Sequence, residues 1–149
     1  MSKISESTLW NSGLYPSLRK MRGLHVGRIE NAVSSGLPDV EGCYQGHQFW
    51  WELKTGTRPV NASSKTVGWK IRPAQKVWHP KRWKAGGLNF FLFQLESRHD
   101  KRLFLIPGFH SLRLAEGATE QQLEEMACLV GRPSPEALVE FSISYERES

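Results

Sequence analysis

Gln48-Phe49-Trp50-Trp51-Glu52-Leu53-Lys54 is an aromatic, apolar run that carries a glutamate and a lysine two residues apart. Its length and aromatic content predict a β-strand. Alternate side chains of a strand share a face, so Glu52 and Lys54 project together while Phe49, Trp51 and Leu53 project the other way into a core. Charges on such a strand are costly unless they face solvent or act chemically. Separated from Glu52 by twelve residues, Leu37-Pro38-Asp39 ends a polar segment with a second carboxylate. Val40 to Tyr44 reads as the preceding strand and Gln45-Gly46-His47 as a tight turn, giving a hairpin that carries Asp39 on one strand and Glu52 and Lys54 on the next. Brought together, two carboxylates and an ammonium suit a hard cation with a proton handler beside it. Asp39 and Glu52 are the candidate ligands for Mg²⁺ or Mn²⁺, with the Leu53 carbonyl as a third. Trp50 shares the face of Glu52 and is placed to wall the site or to stack on a base.

Outward from the hairpin, the 149 residues suffice for one domain with a proper core and hardly for two. No apolar stretch approaches the ~18 residues of a membrane span and no signal-peptide pattern opens the chain. The expected compartment is the cytosol, with no membrane partner. Cys43 and Cys128 lie far apart without metal-ligand spacing, which predicts reduced, structural thiols.

Residues 5–22 are expected to form a first helix, capped by Ser5 or Ser7, with Gly13 and Pro16 dividing it. Leu24 to Ile29 reads as a strand and residues 31–38 as a polar loop. Residues 55–68 are predicted to be a mobile basic loop. A helix starts near Pro73, kinks at Pro80 and stops at Gly86-Gly87. Asn89 to Glu96 has the continuous apolar character of a buried central strand, and Leu103 to Ile106 is another strand beyond a turn at Arg98-His99-Asp100-Lys101. Thr119-Glu120-Gln121-Gln122 is a capping box opening a helix through Leu129.

The net charge of +5 hides an asymmetry. Between Leu53 and Leu95 there is no acidic residue, whereas nine basic ones occur: Lys54, Arg58, Lys65, Lys70, Arg72, Lys76, Lys81, Arg82 and Lys84. Interleaved with Trp69, Trp78 and Trp83, this block has the character of a polyanion footprint, with nucleic acid the leading candidate. From Leu114 onward the chain holds eight acidic and two basic residues, so this segment is expected to stay off the phosphate-binding face.

As a bare pattern, Pro-Asp, twelve residues, Glu-x-Lys is loose. The ordered set is more specific: Arg28-Ile29-Glu30-Asn31, Gly36-Leu37-Pro38-Asp39-Val40, Trp51-Glu52-Leu53-Lys54 and Arg72-Pro73-Ala74-Gln75, followed by Ala85-Gly86-Gly87 and an apolar strand. On these residues, which cover about 5 to 106, the chain resembles the PD-(D/E)xK nuclease superfamily. Within it, the chain is most similar to the small phage-type virus replication-repair nucleases, relatives of archaeal Holliday junction resolvases. The resemblance implies an α/β, restriction-endonuclease-like αβββαβ core with a mixed central sheet flanked by helices; beyond it, the acidic composition and the capping box read as a helical extension over about 110–149. The resemblance also implies Asp39 and Glu52 as metal ligands, Lys54 as the catalytic lysine and Gln75 beside the active site. A glutamate of the first helix faces the site in this family; Glu6 is the choice here and Glu30 the rival. The twenty residues between Lys54 and Gln75 depart from the commoner layout and bear on substrate specificity.

The function that follows is a metal-dependent endonuclease acting on DNA, with branched or otherwise structured DNA implied by the resemblance alone. Rivals are a nickase, a restriction-type or exonucleolytic enzyme on linear DNA, and a non-catalytic DNA-binding module. Arg28, Arg58, Lys65, Lys70, Arg72, Lys76 and Arg82 are the expected phosphate contacts. Symmetrical cutting of two strands calls for a homodimer, with the apolar segment 102–109 a candidate interface. His79 and Arg82, three apart on the predicted helix, could touch phosphate, a surface role being the expected one; His47 and His99 fall in turns without a partner pattern.

Overall fold

The computed structural model describes residues 5–29, 36–59, 66–67, 70–97 and 100–146. Glu30, Lys65, Trp69, His99 and the loop 31–35 lie outside the described residues. Six strands form one mixed sheet in chain order: β1 (His25–Arg28), β2 (Val40–Tyr44), β3 (His47–Thr57), β4 (Asn89–Glu96), β5 (Lys101–Pro107) and β6 (Leu129–Gly131). β3 and β4 run parallel and every other pair antiparallel. A parallel neighbour needs a crossover, and α3 (Pro73–Lys84) provides it. Together with the N-terminal helical segment this is the expected αβββαβ order. Tyr44 pairs with His47 across Gln45 and Gly46, both at positive φ, which is the two-residue turn that matches strand twist.

The N-terminal segment is widened rather than broken. Ser5 accepts from the Thr8 amide and caps α1 (Glu6–Thr8), then Leu9–Leu14 follows a π-helix, and α2 (Tyr15–Leu18) ends four residues short of the expected boundary. Pro16 lacks an N–H and its ring crowds the carbonyl four residues back. The wider turn just before it, with the Tyr15 amide on the Trp10 carbonyl, lets the helical path continue through that position.

Phe49, Trp51 and Leu53 enter one core layer with Leu9, Trp10, Leu14 and Leu18. On the opposite face Phe91, Phe93 and Leu95 pack with Leu114, Leu123 and Met126. α4 (Ser111–Glu116) and α5 (Glu120–Met126) supply that second layer, while α6 (Pro135–Ser144) returns to the first. Seven of the eight β4 residues are buried, as a central strand requires.

Three expectations are corrected, and one contact is added. β3 runs on through Thr57, into the stretch read as a loop, because residues 55–57 pair with Gln94, Leu95 and Glu96 of β4. The helix from Glu120 ends at Met126, and Leu129–Gly131 pairs with β5 as the sixth strand. Phe104, Leu105 and Ile106 lie in the core between β4 and β6, so most of the apolar surface of segment 102–109 is turned inward, with Leu103 half-buried and Phe109 exposed. α5 meets the basic stretch at one end: Glu120 accepts two bonds from Arg58, at 2.7 and 2.8 Å, and also bonds Arg102. Among the described residues no helix is long and apolar enough to cross a membrane.

Candidate active site

A fork in the sheet creates the site. β2 pairs with β3 only as far as Val40 opposite Trp51, so among the described residues the same edge of β3 has no strand partner beyond that point. Asp39, one residue before Val40, fills the gap, and the Leu53 amide donates to its Oδ2 at 2.8 Å. In an extended strand the N–H and C=O of one residue point to the same edge, so the Leu53 carbonyl opens into the fork as well. Gly36 sets the approach to Asp39. It has φ 96°, and a Cβ there would stand 2.9 Å from the Ala74 carbonyl oxygen, so the Gly36-Leu37-Pro38 turn lies against the first turn of α3.

Glu52 and Lys54 are almost fully buried, at 2% and 7% exposure, so of the two readings open to charges on this strand the solvent-facing one is excluded. What covers them is α3. Burial pushes the Asp39 carboxyl up to about 7, and the neighbouring Glu52 carboxyl adds to the rise. Burial also raises Glu52, against the pull of Asp39, Lys54 and Arg72. Burial lowers Lys54, opposed by the charges of Glu52, Asp39 and Glu6. Glu52 Oε1 makes no hydrogen bond. Two crowded, desolvated carboxyl groups, both raised by burial, are the state a bound cation would relieve. Among the described residues no three His, Cys, Asp or Glu side chains gather into a metal cluster, so the oxygen donors at hand are Asp39, Glu52 and the Leu53 carbonyl. An all-oxygen set fits Mg²⁺ or Mn²⁺ rather than a soft metal.

Lys54 Nζ donates to the Lys70 carbonyl at 2.7 Å and to Gln75 Oε1 at 3.1 Å. The same Gln75 oxygen accepts from the Arg72 amide at 3.0 Å, which fixes the orientation of the side-chain amide and starts α3 with Pro73 in its first turn. Glu6, half-buried in α1, lies close enough for its charge to act on both Glu52 and Lys54.

The basic residues divide. Lys70 and Arg72 are exposed beside the site, and Lys76 is half-buried. The exposed Arg82 guanidinium lies 5.2 Å from the Trp50 ring and 5.5 Å from Trp78, a cation–π cluster on the Glu52 side of β3. Arg28 donates to Ser7 Oγ at 3.1 Å and ties β1 to α1. Arg58 is held by Glu120 in a bidentate pair.

His79 departs most from expectation: it is fully buried, and no surface role is open to it. It follows Gln75 by four residues and precedes Trp83 by four, and these three are the buried side chains of α3. Its ring stacks on Phe91 at 4.2 Å, and its Nε2 faces Glu52 Oε1 at 3.6 Å. Burial holds the imidazole neutral, its pKa pushed down to about 3, with Lys54 adding to the shift. Asn89, silent in the sequence, is buried beside it at the start of β4. The i, i+4 spacing from Gln75 was the available signal for His79. Pro80 leaves the Lys76 carbonyl without its helical donor, and Ser111 Oγ donates to it instead at 3.2 Å.

No protein-family model matches the chain, and no curated protein matches it. Among solved structures it is similar to Hjc, a Holliday junction resolvase from the archaeal hyperthermophile Archaeoglobus fulgidus, with 16% sequence identity and a TM-score of 0.36. That match covers 56% of this chain and 64% of the resolvase.

Proposed function

We propose that the chain is a metal-dependent nuclease that hydrolyses DNA phosphodiester bonds, with branched or otherwise structured DNA as its substrate. The observation that carries the reading is the buried Asp39–Glu52 pair in the sheet fork, next to a Lys54 ammonium aimed by Gln75 and the Lys70 carbonyl. Perturbed, desolvated charges converging at one place mark a functional site more readily than a structural one. The preference for branched DNA rests on the resemblance of the ordered motifs.

Asp39, Glu52 and the Leu53 carbonyl would hold Mg²⁺ or Mn²⁺. When bound, such an ion supplies Lewis acidity to a phosphodiester oxygen and lowers the pKa of water. Lys54 presents its ammonium to negative charge developing on the phosphoryl group, and Gln75 keeps that ammonium from swinging away. Glu6 adds a negative charge near Glu52 and Lys54, while Lys70, Arg72 and Lys76 bring the phosphate backbone to the fork. Arg82, with Trp50 and Trp78, offers a cation and ring edges to DNA beside the cut. Cutting both strands of a symmetric junction takes two copies of the chain.

The test is a panel of four-way junction, flap, linear duplex and single strand, each incubated with Mg²⁺ or Mn²⁺ beside Asp39→Ala. Expected are cleavage of branched substrates by the wild type and binding without cleavage by the variant. Equal cutting of all four would remove the structural preference and leave the nuclease. A wild type that cuts nothing with either metal overturns the reading.

A further inference from the structure

Glu52 Oε1 and His79 Nε2 are buried polar atoms without a hydrogen bond, and they face each other at 3.6 Å. Buried unsatisfied groups are rare, and two in opposition call for an account. The tautomer of His79 supplies one. Asn89 Nδ2 stands 3.0 Å from the His79 carbonyl oxygen, which can only accept, so the nitrogen of the amide is the atom on that side. The same Nδ2 lies 3.0 Å from His79 Nδ1, which is therefore the acceptor. A neutral imidazole accepting at Nδ1 carries its proton on Nε2. The proton is thus directed at Glu52.

Gly108 locks the arrangement from behind. A Cβ there would stand 2.3 Å from Asn89 Nδ2 and 2.9 Å from His79 Nδ1, so the pair fits only against a bare glycine. Phe91 holds the ring from the sheet side. Three elements, α3, β4 and the turn after β5, converge on one N–H and one carboxylate oxygen.

We propose that His79 is the positioning residue of Glu52, its Nε2–H taking Oε1 and leaving the second carboxylate oxygen for the cation. Histidine and carboxylate partners behind metal ligands commonly set ligand orientation, and losing one lowers metal affinity by about 10–100-fold. The role rests on Glu52 being a metal ligand, as in the nuclease reading above. Asn89 in turn fixes the tautomer of His79.

The experiment compares Mn²⁺ affinity of the wild type, His79→Gln and His79→Leu, read by EPR of the free ion in the absence of DNA. Glutamine can place an N–H where Nε2 stands; leucine fills the space without a donor. Expected is an affinity at least about tenfold weaker for His79→Leu and close to wild type for His79→Gln. Equal binding by His79→Leu and wild type overturns the positioning role and leaves the nuclease reading intact. Two equally weak variants also overturn it, because shape rather than the donor would then matter. No Mn²⁺ binding by the wild type removes both. Imidazole ¹⁵N shifts of the wild type, which need no variant to fold, are expected to show His79 as the Nε2–H tautomer, with the Nε2 resonance moving on Mg²⁺ addition. An Nδ1–H tautomer, or no response to Mg²⁺, overturns the proposal.

Discussion

Asp39 ionises in water near 3.8 and in the folded chain near 7, so the native state holds its proton more tightly than the unfolded one. Such a group stabilises the fold fully below the lower value, and that contribution is lost as pH rises through the higher one. The metal-free protein is therefore expected to lose thermal stability from about pH 5 to about pH 8, with Asp39→Asn showing a flatter profile. Mg²⁺ is expected to raise the melting temperature of the wild type at about pH 8 and to leave Asp39→Asn unmoved, since a cation binding only the native state stabilises by mass action. Identical pH profiles for both proteins in a thermal-shift series would rule this out. At Lys54 the sequence spoke plainly, because Glu-x-Lys on a strand shares a face. Lys54→Met is expected to lower the cleavage rate by about 10²–10³-fold with little change in DNA affinity, as for loss of one group that meets developing charge. Gln75→Ala, which leaves Lys54 with the Lys70 carbonyl alone, is expected to lose up to about 10²-fold in rate by misplacing the ammonium. Single-turnover cleavage beside binding anisotropy separates the two effects.

At the scale of elements, β3 and α3 show why one half of the site could be read and the other could not. β3 announces itself by period-two alternation, and Phe49, Trp51 and Leu53 fall in the core while Glu52 and Lys54 take the other face. The sequence left open whether that second face meets solvent, since nothing local says that α3 will cover it. The buried stripe of α3 is Gln75, His79 and Trp83, two polar residues and one aromatic, so no apolar period marks its inner side. Asn89 is a tertiary matter altogether, buried because His79 and Gly108 close over it. The N-terminal π segment had only its causes on display, Gly13 and Pro16, and both were read as breaks. The joint between the two halves is Gly36 against Ala74. Gly36→Ala forces a side chain into a left-handed conformation and onto a backbone carbonyl. It is expected to destabilise the fold by about 1–3 kcal/mol in urea titration and to slow cleavage by shifting Asp39 away from α3. Unchanged stability would mean that the turn yields without strain.

Across the whole molecule, composition marks the basic stretch but cannot say which of its charges are paired within the fold. Arg58 and Arg102 are bound to Glu120, Arg102 also to Glu124, and Asp100 to Arg132, a network that joins β5 and the end of β3 to α5. The slope of log affinity for duplex DNA against log salt is about −0.9 per neutralised phosphate. Arg72→Ala or Arg82→Ala is expected to reduce that slope by about one contact, and Arg58→Ala to leave it unchanged. The acidic C-terminal segment was read as an extension, yet it completes the fold. Leu138 and Val139 are fully buried in the layer that holds Phe49, Trp51 and Leu53, and Trp51 Nε1 donates to Ser142 Oγ at 2.9 Å. Burying each such side chain contributes about 1.5–3 kcal/mol, a large share of a stability of about 5–15 kcal/mol for a whole domain. Cutting the chain after Gly131 would uncover the back of the strand whose front carries Glu52 and Lys54. Fragment 1–131 is expected to lose cooperative unfolding by circular dichroism and to bind no Mn²⁺. A fragment that melts cooperatively and retains the metal would show that the first core layer closes without α6, and that the indole of Trp51 needs no partner to hold β3 in place.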